Sequence, residues 1–399
     1  MASKGWPCKI VLRGNEMTLS LPMCDITGQA LDLSEEELHQ RIDAIKKRLG
    51  KDLLILGHHY QRDSIVQHAD LLGDSFLLSK LASESQASNI VFCGVHFMAE
   101  SADILSRETQ KVSLPNLRAG CSMADMANLE QVEDCWKELI AESGLIDPKN
   151  RVDQCAPAEG GEACLVPVTY MNSSAELKAF VGDHGGVVCT SSNATGVLEW
   201  AFERAGPEGK VLFFPDQHLG RNTGLAMGIP EEKMMIWTPD ESPDRERLED
   251  ARIILWHGYC SVHRRFNTSQ IEELRETEPD ALVVVHPECR REVVDAADAV
   301  GSTEFIRQYV ADAPSGSTIG VGTEINMVKR LDSDHPDKKV QCLDPLVCPC
   351  STMYMIHPTY LLDVLQRIEA GEEANRIVVP EETAVSARNA LSRMLSIPS

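Results

Sequence analysis

The sequence predicts an α/β protein made of three similar units, each with a small parallel sheet. Short apolar runs that end in polar residues alternate with amphipathic helical stretches, a pattern typical of parallel α/β folds. The pattern occurs three times, and each repetition closes on a cysteine: Cys121, Cys260 and Cys350. The simplest interpretation is three three-layer α/β/α units related by pseudo-threefold symmetry. The alternative is one doubly wound sheet with scattered buried cysteines.

The elements follow in chain order. Residues 1–33 show little pattern, and a helix follows because Ser34 and Glu37 fit a capping box and apolar residues recur at helical spacing up to Gly50. The predicted strands lie at 52–61, 89–100 and 111–121, then at 185–194, 210–220 and 251–260, and finally at 280–289, 317–326 and 338–350.

The remaining stretches set the expected domain boundaries. Segments 144–168 and 221–250 read as insertions, and the tail 356–399 reads as two helices split by a short apolar run. We therefore expect an N-terminal segment and helix over 1–50, units over 51–125, 126–262 and 263–355, and C-terminal helices over 356–399.

Charge and composition exclude several classes of partner. The 399 residues include 38 Lys and Arg against 61 Asp and Glu, so the net charge is -23. Such a chain repels phosphate backbones and anionic lipid, which argues against nucleic acid and membrane surfaces as partners. No apolar run reaches the roughly 18 residues of a membrane span, and the first residues lack the apolar core of a secretory signal. We expect a cytoplasmic protein.

The 13 cysteines point to metal chemistry, catalysis or small buried side chains, since a disulfide framework belongs to small secreted domains. If the three units face each other, the three closing cysteines meet at one point. Three thiolates suit an iron–sulfur cluster with one iron left open to water or substrate. An open iron can act as a Lewis acid, which favours dehydration or condensation over electron transfer.

Polar side chains gather where the predicted strands end. Parallel sheets bind ligands outside the carboxyl ends of their strands. Histidines there can bind carboxylates or move protons, and hydroxyls at helix starts bind anions. The inventory suits a small polyanion such as a dicarboxylate or a sugar phosphate. The same histidines could be structural, and Ser75, Ser191, Ser302 and Thr303 also fit simple helix N-caps.

A dozen ordered segments resemble the quinolinate synthase family, the A family, with the two insertions similar to additions of a longer subgroup. They run from about residue 52 to 365, in family order: ILGHHYQ, ADLLGDS, FCGVHFMAESADIL, LPNLRAGCSMAD, VTYMNSSAELKA, CTSSNA, FFPDQHLGRN, WHGYCSVH, HPECRREV, ADAVGSTEFI, GVGTEINMVKRL and CPCSTMYM.

The resemblance implies a transferase that condenses iminoaspartate with dihydroxyacetone phosphate, releasing phosphate and two waters, to form quinolinate for NAD biosynthesis. It implies pseudo-threefold units around one [4Fe-4S] cluster per chain, held by three cysteines with the fourth iron binding substrate. It also implies L-aspartate oxidase or aspartate dehydrogenase as the upstream supplier of iminoaspartate.

Carried over by motif, the resemblance assigns the site residues. The ligands would be Cys121, Cys260 and Cys350. Glu288 would be the main proton-transfer group, helped by Tyr170, His286 and His263. The substrate-binding residues would be His58, Tyr60, Ser75, Tyr170, Asn172, Ser191, His286, Glu288, Ser302 and Thr303. In the HHYQ segment the first histidine matches the family position, so His59 is left out.

One departure and three rival functions stay open. Cys348 precedes Cys350 by two residues, and Cys342 is nearby, but only Cys350 opens the family's Cys-x-x-Met-x-Met pattern. The rivals are another iron–sulfur hydro-lyase of the aconitase kind, a cluster-based redox or iron sensor without catalytic activity, and a zinc enzyme using Cys and His.

Overall fold

A computed structural model of the chain describes residues 8–12, 15–19, 33–150, 155, 162–239, 241, 244–344 and 349–398. The described chain begins with an antiparallel pair, β1 (Cys8–Leu12) and β2 (Asn15–Leu19), followed by helix α1 (Glu35–Leu49). The predicted capping box is confirmed: the Ser34 hydroxyl accepts from the Glu37 N–H at 3.3 Å, and the Ser34 N–H donates to the Glu37 carboxylate at 3.0 Å.

Three successive βα runs make up the body of the protein. The first holds β3 (Leu53–His58), α2 (Asp63–Val66), β4 (Leu71–Gly73), α3 (Ser75–Glu84), β5 (Asn89–Cys93), α4 (His96–Leu105) and β6 (Lys111–Ser113). After α5 (Leu129–Ser143), the second holds β7 (Leu165–Tyr170), α6 (Ala175–Asp183), β8 (Val187–Cys189), α7 (Ala194–Ala205), β9 (Lys210–Phe214), α8 (Gln217–Ala226), β10 (Met234–Trp237), α9 (Arg245–Asp250) and β11 (Ile253–Trp256). After α10 (Thr268–Thr277), the third holds β12 (Leu282–Val285), α11 (Arg291–Ala296), β13 (Ala299–Val300), α12 (Thr303–Asp312), β14 (Thr318–Gly322), α13 (Ile325–Asp334) and β15 (Lys339–Cys342). The chain closes with α14 (Pro358–Glu369), β16 (Arg376–Ile377) and α15 (Glu381–Ser396).

The strands form separate small sheets, so the predicted α/β class is confirmed and the single doubly wound sheet is wrong. The sheet orders are β16-β6-β5-β3-β4, β10-β11-β9-β7-β8 and β13-β12-β14-β15. Pairing is parallel throughout these sheets except between β16 and β6. Each sheet places its first strand between its second and its third, which fits three similar units.

The third sheet shows the layered packing most clearly. Along β12, Val283 and Val285 pack in one apolar cluster with α10 and α11, whereas Val284 packs in another with α12 and α13. Alternate residues of a strand point to opposite faces, so both faces of this sheet are covered by helices. Burying a valine of this kind contributes on the order of 1.5–3 kcal/mol.

Each unit has more strands than the sequence pattern indicated. The strands β4, β7 and β13 were not predicted, and β10 lies in what read as a polar insertion. Residues 165–168, assigned to the inserted loop, begin β7, the strand of the second sheet that corresponds to β3 and β12. β4 and β13 have three and two residues, too few for an alternating pattern to stand out.

The strands also end well before the three cysteines, contrary to expectation. β6 stops at Ser113, β11 at Trp256 and β15 at Cys342. The described residues that follow β6 and β11 are loops, in which Pro115 and Gly258 interrupt the apolar run.

The tail folds as predicted, with two helices on either side of a short strand. Gly182 of α6 lies directly under the backbone of α15, where an added Cβ would stand 1.8 Å from the Ser386 carbonyl oxygen. No helix among the described residues combines the length and the apolar character needed to cross a membrane.

Candidate functional site

One cavity lies at the carboxyl ends of the strands, and all three units contribute to it. The predicted site residues that line it are His58, Tyr60, Ser75, Cys121, Tyr170, Asn172, Ser191, Cys260, His263, His286, Glu288, Thr303 and Cys350. His59, which the motif argument left out, is not among the lining residues. The rule that parallel strands present ligand groups at their carboxyl ends therefore located the cavity.

Strand register explains why these side chains converge. In the first unit, His58 pairs with Gly73, so the end of β3 lies beside the turn that carries Ser75. In the second, Tyr170 pairs with Cys189, just before Ser191. In the third, β12 and β13 end side by side, before His286 and Thr303: Val285 pairs with Val300.

Ser302 is the one predicted site residue that the cavity does not include. Its side chain caps α12 by accepting from the Phe305 N–H at 3.3 Å, the alternative role left open for it. Its neighbour Thr303 does line the cavity, and the Thr303 hydroxyl is buried with no hydrogen-bond partner among the described residues. A buried hydroxyl without a partner is costly, which marks Thr303 as a place for a polar ligand atom.

Three equivalent hydroxyls face the cavity near helix starts. Ser75 begins α3, Thr303 begins α12, and Ser191 precedes α7. Helix N-termini favour anions because their first N–H groups and the helix dipole both point outward. This arrangement can bind carboxylate or phosphate groups from three sides.

Cys121, Cys260 and Cys350 occupy equivalent turns. In each, the cysteine carbonyl accepts from the N–H four residues later, and a short 3-10 helix begins at the third residue after the cysteine. The distances are 3.1 Å from Asp125 N to Cys121 O, 3.0 Å from Arg264 N to Cys260 O and 2.9 Å from Tyr354 N to Cys350 O. The repeated turn aims each sulfur into the shared cavity, as pseudo-threefold symmetry requires.

The other cysteines separate into different groups. Cys93, Cys135, Cys189 and Cys289 are fully buried, in keeping with the expectation that Cys93, Cys189 and Cys289 serve as small hydrophobes. Cys155 and Cys164 form a disulfide at the base of the first insertion. Cys348 lies outside the described residues, so the choice of Cys350 over Cys348 stays a prediction.

Glu288 is the centre of a buried polar cluster. The Tyr170 hydroxyl donates to Glu288 Oε1 at 2.6 Å, and His263 Nδ1 lies 2.8 Å from Oε2. The His286 ring stacks on His263 with centroids 4.4 Å apart. The three partners come from two units, so the cluster exists only when the second and third units are together.

Burial and neighbouring groups shift the pKa values of the side chains in this cluster. Burial raises the pKa of Glu288, but the neighbouring His263 and His286 outweigh it, and the pKa is lowered. Burial raises the pKa of Tyr170 well above its usual value, which keeps the phenol protonated. Burial, with His263 beside it, lowers the pKa of His286 to about 3, so this imidazole is neutral near pH 7.

Two groups of side chains in the cavity could hold a metal. Cys260, His263 and Glu288 offer ligand atoms within 4.8 Å of one another. However, both ring nitrogens of His263 already contact protein groups, Glu288 at 2.8 Å and Thr323 at 3.1 Å. The three cavity cysteines form the second group, and their sulfur atoms suit a soft metal centre, either zinc or an iron–sulfur cluster.

Several polar residues in or beside the cavity were not identified from the sequence. Thr323 lies next to the described site, and its hydroxyl is 2.7 Å from the Tyr60 hydroxyl. Asp74 and Ser192 join the first and second units, since the Ser192 hydroxyl donates to the Asp74 carboxylate at 2.5 Å. Arg330 of α13 donates to the carbonyls of His59 and Gln61 and so holds the turn after β3. Thr323 follows β14 directly, so the strand-end rule could have identified it.

Comparison with known proteins agrees with this geometry. A family described as quinolinate synthetase A protein matches residues 40–396. A protein named quinolinate synthase from Corynebacterium glutamicum is 54% identical over 368 residues, covering 91% of this chain and 88% of that protein. Proteins of the same name from Rhodopirellula baltica and Bacillus subtilis are each 47% identical, and each match covers 92% of this chain. The matches cover 92% of the Rhodopirellula baltica protein and 95% of the Bacillus subtilis protein.

Proposed function

Because this chain belongs to the quinolinate synthetase A family, we propose that it condenses iminoaspartate with dihydroxyacetone phosphate, as a transferase that releases phosphate and two waters. Its function is quinolinate synthesis in NAD biosynthesis, by family and by the names of its relatives. The observation that carries the finer proposal is that three cysteines and the Glu288 cluster line one cavity together with three hydroxyls near helix starts.

The proposed cofactor is one [4Fe-4S] cluster per chain, held by Cys121, Cys260 and Cys350. Three sulfurs in equivalent turns support this ligand set, and burial raises the pKa of Cys121 to about 12, so this sulfur keeps its proton unless a cation displaces it. When bound, a cluster with three protein ligands would supply a Lewis-acidic iron to polarise a hydroxyl or carboxylate of the substrate.

The polar side chains bind and orient the two substrates in this proposal. Ser75, Ser191 and Thr303 hold carboxylate or phosphate oxygens at the helix starts, and Asn172 and His58 add hydrogen bonds from the strand ends. Burial lowers the pKa of His58 well below its usual value, so this side chain acts as a neutral hydrogen-bonding group. Holding two reactants in contact can supply about 7–11 kcal/mol of the barrier.

Glu288 is the proposed proton-transfer group. The carboxylate is ionised near neutral pH and accepts from the Tyr170 hydroxyl, so it can take up a proton when a substrate atom passes one to the Tyr170 oxygen. His263 Nδ1 lies beside the other carboxylate oxygen, and neutral His286 stacks on the His263 ring. This arrangement fits a reaction with several successive proton transfers and loss of water.

The wider setting follows from the same proposal. Iminoaspartate must come from oxidation of aspartate, so L-aspartate oxidase or aspartate dehydrogenase is the expected supplier. Reduced ligand cysteines favour the cytoplasm, where thiols persist. We further propose the unit boundaries given above, 51–125, 126–262 and 263–355, with 1–50 and 356–399 as flanking segments.

Anaerobic purification followed by assay tests the proposal. We expect about four iron and four sulfide per chain and quinolinate formation that depends on dihydroxyacetone phosphate. Cluster-containing protein that dehydrates a hydroxy acid without dihydroxyacetone phosphate would instead indicate an aconitase-like hydro-lyase. Cluster without turnover would indicate a sensor, and zinc without iron would contradict the proposed cofactor.

A further inference from the structure

A continuous chain of hydrogen bonds crosses the cavity wall from Tyr170 to Tyr60. It runs from the Tyr170 hydroxyl to Glu288 Oε1 at 2.6 Å, from Glu288 Oε2 to His263 Nδ1 at 2.8 Å, from His263 Nε2 to Thr323 Oγ1 at 3.1 Å, and from Thr323 Oγ1 to the Tyr60 hydroxyl at 2.7 Å. The chain begins on the second unit, passes through the third and ends on the first.

Thr323 joins the Tyr60 end of this hydrogen-bond chain to the end that holds His263 and Glu288. It is fully buried and does not line the cavity, whereas Tyr60, His263 and Glu288 all do. The direct contact between Tyr60 and His263 Nε2 is 3.4 Å, longer than either bond through Thr323. Without the Thr323 hydroxyl, this longer contact is the one link from Tyr60 toward Glu288 among the described residues.

The chemistry of this position calls for a hydroxyl. Tyr60 and His263 Nε2 can each donate or accept, according to the direction of the chain. A hydroxyl donates one hydrogen bond and accepts others, so it can link these partners in either direction by rotating its proton. A methyl group of the same size can do neither.

We propose that Thr323 is a positioning residue of the reaction, which joins Tyr60 to His263 and so connects the first-unit side of the cavity with Glu288. This inference rests on the proposed function, since it assigns Tyr60 and Glu288 to the same proton-transfer system. Its consequence is that protons exchanged with substrate near Tyr60 reach the Glu288 carboxylate without passing through solvent.

Two substitutions separate hydrogen bonding from packing. Thr323→Val keeps the shape and removes the hydroxyl, whereas Thr323→Ser keeps the hydroxyl and removes a methyl group. We expect the valine variant to lose about 10- to 100-fold in kcat, as for one buried hydrogen bond, with KM changed much less because Thr323 does not line the cavity. The serine variant should keep kcat within about three-fold of the wild type. The reverse order, with serine impaired and valine active, would overturn the proposal in favour of packing.

A matched control and a double variant complete the test. Thr223 is also buried, but its hydroxyl donates to the Leu219 carbonyl of its own helix at 2.7 Å, so Thr223→Val should leave kcat unchanged. If Thr323→Val fails to fold, Thr323→Ala removes the hydroxyl in its place. A connected chain predicts that Tyr60→Phe with Thr323→Val, or with Thr323→Ala where valine is not tolerated, loses little more than the worse single variant.

Additive losses in that double variant would contradict a connected chain. The wild type is assayed first with dihydroxyacetone phosphate. Absence of quinolinate from the wild type would count against the proposed function, whereas a normal wild type with an unimpaired, folded Thr323→Val variant would count against this inference alone.

Discussion

Individual side chains in or beside the cavity differ in whether a structural role accounts for their position. Ser302 has a structural role because it caps α12, and Thr303 beside it has a buried hydroxyl with no described partner. Glu288 stands apart from both. It is 3% exposed and yet accepts hydrogen bonds on both oxygens, one from another unit. Burying a carboxylate this deeply is expensive unless it is paired, and Tyr170 and His263 provide that pairing.

Glu288→Gln should abolish most turnover while the cofactor stays bound. Glutamine keeps the size of the side chain but cannot carry the proton, so we expect quinolinate formation to fall by about 10²–10⁴-fold. The control is Glu292→Gln on α11, whose side chain is 56% exposed and which should remain fully active. Cofactor absorbance should be unchanged in both. Near-normal turnover by Glu288→Gln would remove Glu288 from the mechanism.

Single cysteine substitutions should identify the cofactor ligands. We expect Cys→Ser at 121, 260 or 350 to prevent iron incorporation after anaerobic reconstitution, because each removes one of three sulfurs in the shared cavity. Cys348→Ser is the matched control and should retain iron. A cluster that survives Cys350→Ser but not Cys348→Ser would show that the third ligand is the other cysteine of the pair.

Helices and strands explain how the site is kept in place. Each second strand, β4, β8 or β13, leads directly into a helix that starts at the cavity. The terminal helix α15 lies against α6, and the Asn193 amide beside the Ser191 turn donates to the Met394 carbonyl at 3.3 Å. The tail is therefore part of the support of the second unit.

Gly182→Ala should weaken the contact between α6 and α15. The new Cβ would stand 1.8 Å from the Ser386 carbonyl oxygen, so the helices must separate. We expect the free energy of unfolding to fall by about 1–3 kcal/mol, the usual cost of overpacking, measured by urea titration. Ser386→Ala, which removes only the hydrogen bond to Asp183, should cost at most about 1 kcal/mol. Equal stability of Gly182→Ala and wild type would refute the close contact.

The three units are joined in a ring around the cavity. Ser192 and Asp74 link the second and first units, Tyr170 and Glu288 link the second and third, and Arg330 of the third unit donates to carbonyls of the first. Each of these links includes or adjoins a cavity residue. The same contacts that hold the units together therefore also position the site.

Stability should fall as the pH is lowered below about 6.5. Burial lowers the pKa of His286 to about 3, whereas a histidine in the unfolded chain titrates near 6.5. Between these values the unfolded state binds a proton that the folded state does not. This one group therefore removes up to about 1.4 kcal/mol of the free energy of unfolding per pH unit. Urea titrations at pH 7 and pH 5.5 measure the slope.

His286→Gln is the matched variant for that slope. It removes the titrating ring and keeps a group able to accept from the Glu288 N–H, which lies 3.3 Å from His286 Nδ1. The variant should lose less stability than the wild type on going from pH 7 to pH 5.5. An unchanged slope would show that other groups dominate in this range.

Local pattern was enough to infer the α/β class, the helix from Glu35 to Leu49 and the strand ends on which the site is built. Alternation and capping depend on neighbouring residues, and parallel strands always bring their carboxyl ends to one edge of a sheet. Ordered family motifs supplied most of the cavity residues. Strands of two or three residues, such as β13 and β4, carry no such pattern and were missed.

Contacts between residues that are far apart in the chain are determined by the tertiary structure and cannot be inferred from local sequence pattern. Tyr170 meets Glu288 across 118 residues, and Tyr60 meets Thr323 across 263, and no periodicity in the sequence indicates either pair. The bridge that Thr323 forms between Tyr60 and His263 likewise depends on which unit faces which. The sequence determines the type of each side chain, but the packing of three sheets around one cavity determines which partners that side chain meets.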